Sequence, residues 1–228
     1  MPFHNREEAA HLLAQRLLAY RGQHPLVLGI PRRAVPMAQI IADALEGDLD
    51  VVLVHKLGAP GHAECAIGTV DETGQVSLGP YVQRLRINAD YLAIETAAQL
   101  ETLRRRRAMY TPIRPPLSPA GRLVIVVDNG IATGASMIAA LRAVRAQQPA
   151  RLIAVVAVAP PQTLTRLAQE ANEVVCLEAP EEFYAVGQWF EDFSQVTDAE
   201  VVAILQQASG ATASAQGRQA LPQPMSAS

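Results

Sequence analysis

Cysteine is scarce in this chain: two in 228 residues, Cys65 and Cys176. They supply neither a disulfide framework nor metal-ligand spacing. Cys176 lies in the apolar run 174–177 and reads as a core residue. Aromatics make up 4% and charged residues 18%, with a net charge of −3, so no general electrostatic attraction to nucleic acid is expected. The one dense basic run, Arg104–Arg107, reads as the solvated end of a helix, where cations suit the dipole. If it instead bound RNA, binding would be salt-sensitive. No apolar run reaches the 18 residues that a membrane span needs, and the polar N-terminal residues carry no leader pattern, so the expected location is the cytoplasm. Neither a Walker A loop nor the GxGxxG dinucleotide fingerprint occurs, and there is no internal repeat.

Hydrophobic residues make up half of the chain, enough for a sizeable core in a single domain. Asn5 with Glu8 predicts a capped first helix, with Gly22 past its end. Apolar strands are predicted at 26–30, 51–54, 123–127, 152–158 and 173–177, and helices at 35–45, 90–110, 135–147 and 161–171. Five glycines across 57–80 predict a long excursion, mobile between Lys56 and Gly68, with a hairpin near Thr73-Gly74. Prolines 112, 115, 116 and 119 form a stiff linker into strand 123–127. Thr197 with Glu200 caps a last helix that ends near Gly210, and 209–228 is expected to be disordered from its Ala, Ser, Gln and Pro content. Apolar strands alternating with helices specify an α/β fold with a parallel sheet. Ligands bind such sheets beyond the carboxyl ends of the strands, a rule that puts Pro31, Lys56 and Asp128 on one rim.

The richest stretch is 123–136, LVIVVDNGIATGAS: a buried strand, an acidic end, a small-residue turn and a helix N-terminus. Free amides at such a turn suit an anion, and a carboxylate beside them suits hydroxyls or a cation. A sugar phosphate with Mg²⁺ combines all three. The stretch resembles the phosphoribosyl-pyrophosphate (PRPP) loop of type I phosphoribosyltransferases, in which two acidic residues precede Thr-Gly-x-Thr/Ser. Residues 30–36 (IPRRAVP), 55–61 (HKLGAPG, followed by Glu64, Ala66, Ile67 and Gly68) and 183–187 (FYAVG, with Trp189) resemble further segments of a bacterial, stand-alone group within that family. Together the motifs cover about 3–205. Two departures stand out. Asn129 replaces the second acid and brings no charge to a Mg²⁺ complex, while Arg33 and Ala34 replace glycines.

The resemblance implies a Rossmann-like parallel sheet flanked by helices, with a small hood from about 178–196 and N-terminal residues, in one domain over 1–208. It implies a Mg²⁺-dependent transfer of 5-phosphoribosyl from PRPP to a nitrogenous base, with pyrophosphate released. Asp128, assisted by Asn129, would hold the ribose hydroxyls. Gly130 would be part of the PRPP-binding loop, and the amides of Ile131, Ala132, Thr133, Gly134, Ala135 and Ser136, with the Thr133 and Ser136 hydroxyls, would hold the 5′-phosphate. Arg32, Arg33, Ala34 and Lys56 would face pyrophosphate, with Asp128, Lys56 and Arg32 as the catalytic set. Mg²⁺ would be held mainly by substrate oxygens and water, Asp128 being the protein's candidate ligand. Phe183 is the candidate for stacking on a base, whereas Trp189 and Phe190 read as packing of the hood. Glu64, His55 and His62 are candidates by residue type alone. Ala132 stands where 6-oxopurine enzymes carry an Asp, which disfavours hypoxanthine and guanine. The alternative is a non-catalytic PRPP or nucleotide sensor on the same fold. Family members commonly dimerise, so a homodimer is expected.

Overall fold

The computed structural model describes residues 2–79, 81–110 and 116–219. Five strands form the central parallel sheet: β1 (Leu26–Gly29), β2 (Asp48–Val51), β6 (Leu123–Asp128), β7 (Arg151–Val158) and β8 (Glu173–Glu178). Their order is β2-β1-β6-β7-β8. A second, antiparallel sheet is made by β3 (Val54–Ala59), β4 (His62–Asp71) and β5 (Val76–Leu78).

The central strands are apolar on both faces because both faces are covered. Val27, Ile125, Val127, Ile153 and Val155 point into one core, shared with α1 (Arg6–Arg16), α2 (Val35–Leu45) and the start of α7 (Asp198–Gln219). Their neighbours Leu26, Leu28, Val124, Val126, Leu152 and Ala154 point into the other, against α5 (Ala135–Arg145) and α6 (Pro161–Leu167). Successive strand residues alternate between the two cores, as strand geometry requires.

Local chemistry fixes the helix ends. The Asn5 side chain accepts from the Glu8 amide at 2.9 Å, while the Glu8 carboxylate reaches back to the His4 amide. At α7 the reciprocal cap is complete: the Thr197 hydroxyl accepts from the Glu200 amide at 3.2 Å, and Glu200 accepts from the Thr197 amide at 2.6 Å. The single turn α3 (Tyr81–Arg84) precedes α4 (Ala89–Tyr110), which Asn88 caps through the Tyr91 amide.

Several sequence expectations are corrected. Segment 57–68 is not an open loop. It is the paired hairpin of β3 and β4, turned at Pro60-Gly61, where Gly61 takes φ +72°. The hairpin at Thr73-Gly74 forms as expected, tied by Asp71 to the Thr73 and Gln75 amides. A short 3₁₀ turn, Leu18–Tyr20, separates α1 from Gly22. Helix α7 runs past Gly210 to Gln219, beyond the end expected from the sequence. Residues 220–228 lie outside the described residues, as do 111–115 of the proline linker. Among the described residues, no helix is long and apolar enough to cross a membrane.

Candidate active site

The sheet order reverses its winding between β1 and β6. From that point the chain proceeds outward to β2 on one side and to β7 and β8 on the other. The crevice above such a switch point is where an open α/β sheet takes its ligand. A cleft of about 320 Å³ lies there, lined by Ile30, Pro31, Arg32, Arg33, Arg106, Asp128, Asn129, Gly130 and Ser136. It joins the segment after β1, the segment after β6 and one side chain from α4.

Asp128 ends β6. Burial pushes its carboxyl up to about 7, against the pull of amide hydrogen bonds from Asn129 and Gly130 and of the Arg33 charge. The Asn129 amide lies 2.8 Å from it. The Asn129 side chain is buried, and its Nδ2 has no hydrogen-bond partner among the described residues. A buried amide without a partner costs on the order of 1–3 kcal/mol, a cost that a bound acceptor would remove.

The turn from Gly130 to Ser136 is clamped from behind. Thr163 donates to the Ala132 carbonyl at 2.6 Å and Arg166 to the Thr133 carbonyl at 3.0 Å. The Ile131 amide is tied to Val158. Ser136, in the first turn of α5, lines the cleft, and the amides of that turn are ones no helical turn can satisfy. Gly134 caps α5 at φ +74°, and a Cβ there would meet Thr163 Cγ2 at 2.8 Å. Gly22 has a similar φ of +78° with open space around it. Gly22→Ala is therefore expected to cost about 1 kcal/mol, the backbone term alone. Gly134→Ala is expected to cost about 3 kcal/mol, because the clash adds to it. Urea denaturation of the two variants reads the difference.

Opposite Asp128 stand three cations. Arg32 is paired with Asp198 at 3.3 Å, and Asp198 also accepts from the Tyr110 hydroxyl at 3.4 Å. Burial, with Asp198 beside it, raises the Tyr110 hydroxyl to about 12. Arg33 lies over the Phe193 ring, 5.4 Å from its centroid. Arg106 completes the set from α4. Ala34 caps α2 and is buried below the arginines. The peptide between Pro31 and Arg32 is cis.

The structure thus gathers Arg32, Arg33, Asp128, Asn129, Gly130 and Ser136, with Ile131, Ala132, Thr133, Gly134 and Ala135 continuing the same turn. Lys56 is not in this group. It sits within β3, in the second sheet, rather than at the end of a central strand, and it does not line the cleft. Phe183 is half-buried against the main core and does not line the cleft either. His55 is on β3 and His62 opens β4, both away from the lining; the Glu64 side chain lies outside the described ones. Trp189 and Phe190 pack as expected, and Phe190 meets Phe3 at 5.4 Å between ring centroids. Arg106 was missed by sequence reasoning. Its signal was the basic run itself: Arg104 and Arg105 are solvated, but Arg106 and Arg107 turn inward.

One carboxylate that titrates near neutrality, three guanidinium groups and a helix N-terminus suit a ligand carrying hydroxyls and more than one phosphate. The family model of the phosphoribosyl transferase domain matches residues 4–192. The chain belongs to the phosphoribosyl transferase family. It is 39% identical over 207 residues to a protein of Mycobacterium tuberculosis whose name assigns it provisionally as a phosphoribosyl transferase; the match covers 90% of this chain. The chain spans only 47% of that relative's length. Among solved structures it is similar to the crystal structure of TT1426 from Thermus thermophilus, with 45% identity and a TM-score of 0.79, covering 91% of this chain and 99% of that one. The parallel sheet with helices on both faces is the type I phosphoribosyltransferase fold.

Proposed function

We propose that this transferase moves the 5-phosphoribosyl group of PRPP to a nitrogenous base and releases pyrophosphate, in the cytoplasm. The observation that carries the reading is the convergence of Asp128, the Ser136 helix end and three arginines on one cleft at the sheet's switch point. The acceptor nitrogen forms a bond to the anomeric carbon as the bond from that carbon to the pyrophosphate oxygen breaks, the electron pair leaving with pyrophosphate. Positive charge grows on the ribose ring and negative charge on the leaving group. Asp128 binds the ribose hydroxyls, with Asn129 assisting, and faces the ring as its charge develops. Arg32, Arg33 and Arg106 stabilise the leaving group.

Arg32 gives up its exposed pairing with Asp198 at little cost, since such pairs contribute about 1 kcal/mol or less. The turn 131–136 anchors the 5′-phosphate, and so fixes the anomeric carbon in place. Among the described residues Asp128 is the one carboxylate of the lining, a donor set that fits a Mg²⁺ ion carried in on substrate oxygens and water rather than a resident ion. Such an ion would neutralise the diphosphate. Ala132 has no side-chain group to act near a base, which disfavours 6-oxopurine acceptors.

Asn129 favours a second reading, in which the same cleft senses PRPP without turning it over, because an amide replaces the second acid. Calorimetry with PRPP, with and without Mg²⁺, followed by pyrophosphate release with a panel of bases, separates the two. The transferase reading expects Mg²⁺-dependent binding and release with at least one base. Binding without release for any base supports the sensor, and an absence of binding overturns both.

A further inference from the structure

One C-terminal segment meets two of the cleft's three arginines. Its first part, the strap 186–193, lies against the turn after β6: a Cβ on Gly130 would meet Val186 Cγ1 at 2.6 Å. At the end of the strap the Phe193 ring, stacked on Phe190 at 5.1 Å, lies 5.4 Å from the Arg33 guanidinium. Farther along, Asp198 opens α7 and pairs with Arg32 at 3.3 Å. Arg32, Arg33 and Arg106 line the cleft, whereas Phe193 and Asp198 do not. Among the described residues, Asp198 is the one carboxylate at ion-pair distance from any of the three.

Asp198 is the fixed member of its pair. The reciprocal cap of Thr197 and Glu200 sets the first turn of α7, and Val196, Val201 and Leu205 bury that turn in the main core. Tyr110, 1% exposed, donates its hydroxyl to the Asp198 carboxylate. Arg32 is the mobile member: it belongs to the turn between β1 and α2, and its side chain has many rotamers. The paired side chains are 41% and 35% exposed, so an incoming anion can reach the guanidinium.

A carboxylate on Arg32 stands in for a phosphate oxygen. Three guanidinium groups without a counter-ion would grip a diphosphate tightly, and a tightly gripped product leaves slowly. We propose that Asp198 is a resident anion that competes with pyrophosphate for Arg32. It neutralises Arg32 in the empty cleft, yields to the diphosphate of PRPP, and takes Arg32 back as pyrophosphate departs. This deepens the transferase reading and rests on it.

The test is calorimetry of the full chain with inorganic pyrophosphate and Mg²⁺, and separately with ribose 5-phosphate, which carries no diphosphate. Asp198→Asn is expected to bind pyrophosphate about three- to fivefold tighter, the span that an exposed ion pair can supply. Phosphorus NMR line shapes should show pyrophosphate leaving more slowly by a similar factor. Affinity for ribose 5-phosphate should stay within 1.5-fold, whereas damage to the fold would weaken both ligands. Asp198→Glu keeps the anion and should stay within twofold of wild type for pyrophosphate. In an Arg32→Met background the gain from Asp198→Asn should disappear, because Asp198 acts through Arg32. A gain that persists there reflects only the loss of one negative charge, and it overturns the proposal. So does pyrophosphate binding that is unchanged or weaker in Asp198→Asn, or a Glu variant that behaves like the Asn variant. If PRPP binds while any of these results is found, the transferase reading stands and the competition falls. If neither PRPP nor pyrophosphate binds the wild-type protein, both fall.

Discussion

Asp128→Asn is expected to weaken PRPP binding by about 100-fold and, at pH 8, to melt above the wild-type protein. The two effects share one cause. A hydrogen bond to a charged acceptor contributes about 1.5–3 kcal/mol, and the proposed ribose contact depends on that charge. In the absence of ligand the same charge is a burden, because burial raises the carboxyl to about 7. The sign follows from proton binding. Between the ordinary carboxylate value and pH 7, the folded protein holds a proton that the unfolded chain has released. Stability therefore falls as pH rises through that window, and the full penalty is present above it. The span corresponds to about 4 kcal/mol as an upper limit, reduced because the cleft admits water. Asparagine has nothing to titrate. Its stabilising effect should be small near pH 4, where the folded carboxyl is protonated and the unfolded one about half so, and grow toward pH 8. Melting curves at the two pH values, with PRPP calorimetry at pH 8, test both halves. A variant that melts lower at pH 8, or that keeps its PRPP affinity, would remove Asp128 from the role assigned to it.

Much of the site was legible because its signals are local. The 123–136 stretch shows its apolar strand, its acidic end and its small-residue turn in adjacent letters, and the structure assembles them at the carboxyl end of β6. The partner segment at Pro31–Arg33 was legible for the same reason, as a strand end followed by a helix start. What was not legible depends on chain paths that close over long separations. Lys56 follows a strand in sequence, but β2 stops at Val51 and the chain leaves for the second sheet before Lys56 is reached. Arg6 looks like a solvated first-turn residue, yet the strap 186–193 lies over it. Phe183 was the aromatic suggested by motif, whereas the ring that meets two arginines is Phe193. The glycines of 57–68 signalled flexibility and mark instead a bulged hairpin, with register shifts around Gly58.

The basic run 104–107 shows how a surface-like sequence can hold a fold and a site at once. Arg107 forms a two-point bridge to Glu72, with Nη2 at 2.6 Å and Nε at 2.7 Å. It also lies 3.8 Å from Asp50 and donates to the Val51 carbonyl at 3.3 Å. Burial would lower its pKa, but Glu72 and Asp50 outweigh that and hold it above the ordinary arginine value. Asp50 is itself buried and accepts the Val51 and Leu117 amides, each at 2.8 Å. Arg107→Met fills similar space and leaves Asp50 charged, buried and without its cation. Breaking a buried pair from one side costs about 3–5 kcal/mol. The lower figure is expected here, since Glu72 keeps partial access to water. The midpoint of urea denaturation should fall accordingly. Adding Asp50→Asn should recover part of the loss, because the stranded charge is gone while one amide acceptor remains; additive losses would show that the two residues act separately. The functional consequence lies one residue away. Arg107 fixes the end of α4 against β2, and that anchor sets where Arg106 stands in the cleft. In Arg107→Met the affinity for PRPP should fall with the stability, by roughly the 10-fold that one phosphate-facing guanidinium contributes at about 1.4 kcal/mol. If Arg107→Met loses stability and keeps full affinity, Arg106 takes its position from elsewhere in the fold.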